Sequence, residues 1–274
     1  MSHKKHMIWT TLLSVSLCGF LIPCTNAADT IVGAPAAGCL LESTKLPDHG
    51  PGFEKIRLSR KRSYGHPHLI EFIKNFGLKS KEQKSGSILV GDLGELHGGP
   101  MRSGHRSHQI GLDVDLWYWT PKISKNKTLT PSQREGLNPP SVLNSKKNGV
   151  ISKDWDRIPV LLKMASEDPN VDRVFVNFEV KKALCKSYKG EAWMHKIRAW
   201  WGHDHHFHVR LKCPTDETQC MKQEEVPAGD GCDAGLDWWT STEAKDKGKE
   251  LDIPTVPEKV KLPDACYKVL SLKK

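Results

Sequence analysis

No two of the eight cysteines are spaced as Cys-x-x-Cys, which argues against a structural zinc site built from thiolate pairs. Internal repeats and heptads are also missing, which removes solenoids and coiled coils. The N-terminal apolar run, Ile8 to Ile22, is about 15 residues, short of the roughly 20 that a spanning helix needs. Strand and helix patterns do not alternate regularly, so a doubly wound parallel sheet is not indicated. What is present is a basic start at Lys4 and Lys5, the uncharged run, Pro23, and small residues at Thr25, Ala27 and Ala28. Together these read as a secretory leader, residues 1–27, cleaved after Ala27. Lipid anchoring through Cys24 is the rival, and Pro23 is a poor residue before a lipidated cysteine.

The remaining residues, 28–274, are read as a single domain with one hydrophobic core, at 38% hydrophobic and 27% charged residues for the whole chain and with nine tryptophans. Removal of the leader takes away Cys18 and Cys24 and leaves Cys39, Cys185, Cys213, Cys220, Cys232 and Cys266. An even count in an oxidising compartment predicts three disulfides, whose pairing the sequence alone leaves open. Loss of Lys4 and Lys5 leaves 39 basic against 32 acidic residues, so +7 in place of +9. That charge suits an anionic partner such as an acidic wall polymer or lipid headgroups, or it only keeps an exported protein soluble. Export argues against nucleic acid, and the short apolar run against stable membrane insertion after the leader is removed.

Residues 29–51 are rich in Gly, Pro and Ala and read as an extended arm. "HPHLIEFIKNFGL" carries Leu69, Ile70, Phe72, Ile73 and Phe76 at helical spacing, so a short helix ending near Gly77 is expected. "GSILVGDLG" (86–94), "QIGLDVDLW" (109–117), "VDRVFVN" (171–177) and "HFHVRLKC" (206–213) read as strands. "DWDRIPVLLKMASED" (154–168), "EVKKALC" and "EAWMHKIRAWW" read as helices. Residues 120–150 form a long Pro-, Lys- and Asn-rich loop, and the chain after Cys213 reads as a covering segment stapled by disulfides. The expected class is α+β: a small, mainly antiparallel sheet with flanking helices and long disulfide-tied loops.

Two of these strands pair apolar faces with metal-ligand residue types. In a strand, residues two apart share a side. Asp113 and Asp115 therefore lie opposite Leu112, Val114 and Leu116, and His206, His208 and Arg210 lie opposite Phe207, Val209 and Leu211. If the strands are neighbours, carboxylates and imidazoles converge. Catalytic zinc uses three such ligands and leaves a position for water. His108, one strand aspartate and one strand histidine supply them, and a spare histidine can handle a proton. The plain alternatives are a strand with a wet face and adventitious metal binding by the histidine-rich run 203–208.

"SHQIGLDVD" followed by "HFHVRLKCP" resembles the H-x6-D … H-x-H pattern of the metallopeptidases grouped with lysostaphin, D-Ala-D-Ala carboxypeptidases and hedgehog. "YGHPHLIEFI", "GDLG", "GHRSHQIGLDVD", "RVFVN" and "GDGC" extend the likeness over most of residues 38–266. In these the chain resembles the penicillin-insensitive murein endopeptidases. The resemblance implies zinc ligands His108, Asp115 and His208, with His206 as the catalytic partner and His203 and His105 lining the site. It also implies bridges Cys39–Cys266, Cys185–Cys232 and Cys213–Cys220. A second metal of the family is held partly by an Asp and a His in the loop before Trp155. The matching residues here, Lys146 and Gly149, are poor ligands. One Zn2+ is therefore expected, with His105 and Asp113 in supporting roles.

The implied reaction is hydrolysis of peptide cross-links, D-alanyl to meso-diaminopimelyl, in periplasmic peptidoglycan without a serine nucleophile. Alternatives are a D,D-carboxypeptidase trimming peptide stems, a non-catalytic zinc module, and a metal-free wall-binding protein. The carboxypeptidases place an acidic base three residues before the last zinc histidine. That position is His205 here, which favours the endopeptidase branch.

Overall fold

The computed structural model describes residues 29–121, 127–151, 153, 155–251 and 259–272; the leader expected over 1–27 lies outside them. The chain enters as a hairpin of β1 (Ile31–Ala34) and β2 (Ala37–Leu40). Four short strands follow: β3 (Thr44–Lys45), β4 (His49–Gly50), β5 (Phe53–Lys55) and β6 (Tyr64–Gly65). Next come α1 (Pro67–Glu82), β7 (Ile88–Val90), β8 (Asp113–Trp117), α2 (Pro131–Gly136) and α3 (Arg157–Ser166). The second half holds β9 (Val171–Asn177), α4 (Phe178–Tyr188), β10 (Ile197–Trp200), β11 (His206–Leu211), α5 (Thr242–Leu251) and α6 (Asp264–Val269).

The α+β class holds, and the main sheet is larger and more mixed than the small antiparallel one expected. Seven strands run in the order β10-β9-β11-β8-β7-β5-β4. The pairs β9–β10 and β5–β7 are parallel, and the other neighbours are antiparallel. Two misread segments supply the edge strands β4 and β10, and β5 is a further strand that the pattern did not mark. The expected arm over 29–51 forms β1 to β4. "EAWMHKIRAWW", expected as one helix, is a 3-10 turn over Ala192–Lys196 followed by β10. Pairing of Ile197 with Val174 imposes a two-residue period there, with Ile197 buried and Trp200 exposed.

Local signals explain the helix limits. His66 caps α1 by accepting from the His68 N–H at 3.3 Å, and Pro67 takes the first helical position. The helix runs past Gly77 because that residue meets the 51–52 turn. A Cβ there would lie 2.9 Å from the Pro51 carbonyl oxygen, so a small residue is needed at the contact. β8 begins at Asp113, later than expected, because Gly111 has φ +67° and interrupts the extended chain. The long loop contains α2, closed by a reciprocal cap between Thr130 and Gln133.

One sheet face carries the core. Val114 and Leu116, Phe207 and Val209, Val174 and Val176, and Ile197 are fully buried against α1, α3 and α4 through Leu69, Ile73, Leu161, Leu162, Val180 and Leu184. Each such side chain stabilises the fold by roughly 1.5–3 kcal/mol. Disulfides join Cys39 to Cys266, Cys185 to Cys232 and Cys213 to Cys220, the pairing that the resemblance implies. The first lays α6 against the β1–β2 hairpin, so the C-terminal segment covers the start of the domain.

Candidate metal centre

The other face of the same strands is polar. β11 pairs with β8 so that His208 stands opposite Asp115, Arg210 opposite Asp113 and His206 opposite Trp117. Long-range pairing thus puts the H-x-H pair beside the two aspartates, and His108 arrives from the preceding loop with φ +67°. That left-handed conformation is uncommon for a residue with a side chain. Here it is held by a backbone N–H donated to Asp113 Oδ2 at 3.2 Å.

Asp115 Oδ1 is the centre of the cluster. His108 Nε2 and His206 Nε2 lie 3.5 Å from it and His208 Nδ1 3.6 Å. Its other oxygen, Oδ2, lies 3.5 Å from His105 Nε2. These separations are longer than hydrogen bonds, and both Asp115 Oδ1 and His108 Nε2 are buried without a hydrogen-bond partner. Buried polar atoms left unpaired carry a desolvation cost, so a cluster of them facing one point fits a cation. His105, His108 and Asp115 each bring a ligand atom within 4.8 Å of the others. His105 thus stands closer to the metal-binding set than its expected supporting role implies. His208 approaches the same carboxylate from the Oδ1 side.

The outer hydrogen bonds set the tautomers. His108 Nδ1 donates to the Leu93 carbonyl at 3.0 Å, which leaves Nε2 as a lone pair facing Asp115. His208 Nε2 donates to Asp113 Oδ1 at 2.7 Å, which leaves Nδ1 toward Asp115. Arg210 Nε donates to the same Asp113 oxygen at 2.6 Å. Burial alone would raise the Asp113 carboxyl, but Arg210 and His208 outweigh it and hold it well below the usual range. Asp115 is likewise held down against burial by His206, His105 and His108. Burial pushes His208 down to about 4 and lowers His206 and, further, His203. Those three rings are therefore neutral at pH 7, the form that ligates or accepts a proton. For His108, Asp115 outweighs burial and raises the ring.

The remaining residues frame the cluster. His203 donates Nδ1–H to the Trp201 carbonyl at 2.6 Å and holds its ring 5.2 Å from that of His206. His205 turns the other way, onto the Pro139 carbonyl at 2.9 Å. Asp204 accepts from Ser141 at 2.7 Å, so the second half of the long loop clamps the 203–206 turn. The Trp117 ring lies 5.4 Å from that of His206, and the Arg57 guanidinium sits 4.7 Å over the Trp117 ring.

The "GDLG" run has a role that pattern reading did not assign. Gly91 lets β7 approach β8: a Cβ there would meet Trp117 Nε1 at 2.8 Å and Asp115 Cβ at 3.2 Å. Asp92 holds His105 Nε2 at 3.0 Å and is itself gripped by Arg60 and Arg62. Leu93 supplies the carbonyl that orients His108. A buried aspartate between two glycines is the only local signal of this, and it does not name its partners.

The fold and this cluster define an α+β protein with a buried histidine–carboxylate centre on one face of a mixed sheet. Residues 31–271 match the family described as penicillin-insensitive murein endopeptidase. A protein of that name from Haemophilus influenzae is 38% identical over 91% of this chain and 85% of its own length. One from Yersinia enterocolitica is 34% identical over 94% of both, and one from Pectobacterium atrosepticum 36% identical over 87% and 83%. The chain belongs to the penicillin-insensitive murein endopeptidase family.

Proposed function

We propose that this protein is a zinc-dependent murein endopeptidase that hydrolyses D-alanyl–meso-diaminopimelyl cross-links of periplasmic peptidoglycan. The observation that carries the reading is Asp115 Oδ1, buried and unpaired, with three imidazole nitrogens 3.5–3.6 Å away. The names of the relatives support the substrate class. The net charge of +7 after leader removal suits an acidic wall polymer. No helix among the described residues is long and apolar enough to cross a membrane.

The ligand set is His108 through Nε2, Asp115, and His208 through Nδ1. Two imidazoles, neutral when they ligate, and one carboxylate fit catalytic zinc, which keeps a fourth position open. The chemistry that zinc supplies in such a set is activation of water and polarisation of the scissile carbonyl. The chain's own residues do the rest. Asp113 fixes the His208 ring through Nε2–H and ties it to Arg210. His206 is the open member of the cluster, with its side chain 22% exposed against 0% for His108 and 5% for His208. Its Nε2 therefore reaches substrate and takes or returns the reaction's proton. His203, held by Trp201, flanks it and assists, and His105 orients the second oxygen of Asp115. No serine nucleophile takes part, so β-lactams have nothing here to acylate.

The test is digestion of purified murein with the wild type and with His108→Ala, with muropeptides separated by chromatography. The wild type is expected to convert cross-linked dimers to monomers, and the variant to leave them. Dimers that persist with both proteins, or vanish with both, overturn the assignment. Trimming of monomer stems without loss of dimers replaces it with the carboxypeptidase reading. Metal analysis adds a readout besides activity: near-stoichiometric zinc in the wild type and its loss in the variant.

A further inference from the structure

The site face does not end at the histidines. Cross-strand pairing aligns Asp115, His208, Phe175 and Arg198 in one row over β8, β11, β9 and β10. Paired residues share a side, so Arg198 starts from the same face as the metal centre. Two strand spacings, about 10 Å, separate it from His208. β10 is the edge strand, and at its free side a cavity of about 180 Å³ is lined by Lys181, Arg198, Gly231, Asp233 and Trp239 among others.

Among the described residues, the cavity gathers two cations that no carboxylate pairs directly. Arg198 Nη1 is buried without a hydrogen-bond partner. Lys181 is 1% exposed, and its ammonium donates to two neutral carbonyls, of Met194 at 3.1 Å and of Asp230. Asp230 and Asp233 act on these cations only at a distance: their carboxylates accept from the backbone N–H groups of Gly190 and Cys232, and of Gly235. Burial, with Arg198 adding to it, pushes the Lys181 ammonium down to about 8. A buried guanidinium nitrogen left without a partner is costly, and an anion that enters gains charge-assisted hydrogen bonds.

The construction of the cavity is deliberate in the sequence. The "GDGC" run supplies its wall, and Cys232 is bonded to Cys185, one helical turn from Lys181 on α4. Gly231 has φ +67°, and a Cβ there would lie 3.3 Å from Arg198 Nη1 and 3.4 Å from Lys181 Cε. Trp239 packs 6.1 Å from Trp200, and Trp200 5.4 Å from Phe175, so an aromatic path leads from the cavity back to His208.

The geometry points to a carboxylate subsite: Arg198 and Lys181 receive a carboxylate of the peptide stem while the scissile bond lies at His206 and His208. This rests on the peptidase reading above. Backbone to backbone, the span matches about three extended residues. Arg198 and Lys181 thus fix which stem is accepted and in which direction it lies.

Two measurements test it. Turnover is compared on a cross-linked muropeptide dimer with free stem carboxylates and on the same dimer with them amidated, using wild type, Arg198→Gln and Lys181→Met. The wild type is expected to prefer the free-carboxylate dimer by about tenfold in kcat/KM, chiefly through KM. Arg198→Gln should erase that preference, and Arg198→Lys should restore part of it. Equal losses on both dimers, or an unchanged preference, overturn the subsite. Calorimetric binding of an uncleaved stem tetrapeptide, free or amidated, reads the cavity without turnover. The free form should bind about tenfold more tightly to the wild type and equally to Arg198→Gln. If the wild type cleaves neither dimer, the peptidase reading fails, and the tetrapeptide measurement still decides the subsite. Thermal unfolding midpoints within a few degrees of wild type confirm that the variants fold.

Discussion

The two faces of β8, β11, β9 and β10 are built from alternate residues of the same strands and follow opposite rules. On one, Val114, Val209, Val174 and Ile197 are fully buried among other apolar side chains. On the other, Asp115, His208, Phe175 and Arg198 occupy the next row and leave polar atoms buried without partners. The first face stabilises the chain by removing apolar area from water, and small errors there cost packing. The second carries a local desolvation cost at its unpaired atoms, which the proposed cation and anion would relieve. Within it Asp113 and Asp115 differ in the same way: Asp113 is saturated by His108, His208 and Arg210, whereas Asp115 keeps Oδ1 free. Binding capacity follows the unsatisfied atom, since both carboxylates are buried and ionised.

Substitutions on one strand break or sharpen this contrast. Asp115→Asn should reduce murein cleavage to background and abolish stoichiometric zinc while leaving the unfolding midpoint near that of the metal-free wild type. Leu116→Ala, the adjacent residue on the core face, should do the reverse. A loss of about 2–5 kcal/mol in denaturant unfolding is expected, with kcat retained at temperatures where the variant is folded. Unchanged activity in the first or unchanged stability in the second would erase the distinction between the faces.

Asp113→Asn should fall between them. Loss of the carboxylate that orients His208 should weaken metal affinity by about 10–100-fold. It should also destabilise the fold by about 3 kcal/mol, because Arg210 loses its buried partner. Zinc competition with a chelator and urea unfolding measure the two effects separately.

The smallest effect concerns pH. Lys181 is pushed down to about 8 in the folded chain, so between that value and the ordinary 10.5 the unfolded chain binds more protons. Stability should therefore rise as pH climbs through that window and be flat below it. The same holds for the buried Lys55, also near 8. Lys181→Met should flatten part of the rise in unfolding midpoint between pH 8 and 10, and a slope equal to wild type would refute the assignment.

Much of the site was legible before folding because strand alternation is local. "DVDLW" and "HFHVRL" each state which residues share a side, and the H-x6-D and H-x-H spacings state the ligand types. The strand 171–177 and the helices around Leu161 and Leu184 were readable for the same reason. What eluded reading depends on partners far along the chain. β10 is a strand because β9 lies beside it, and α1 continues through Gly77 because a turn packs there. Asp92 serves His105 only because β7 lies against β8.

By itself, the sequence determined the composition of each face: apolar and ligand-bearing residues alternate, and a period of two cannot be changed without turning every side chain over. Tertiary structure decided which strands meet, and therefore which of several histidines and aspartates keep an unpaired atom. Register places His208 against Asp115 and carries the row to Arg198 at the edge. Those pairings are set by the packing of the whole core, so no stretch of chain contains them alone.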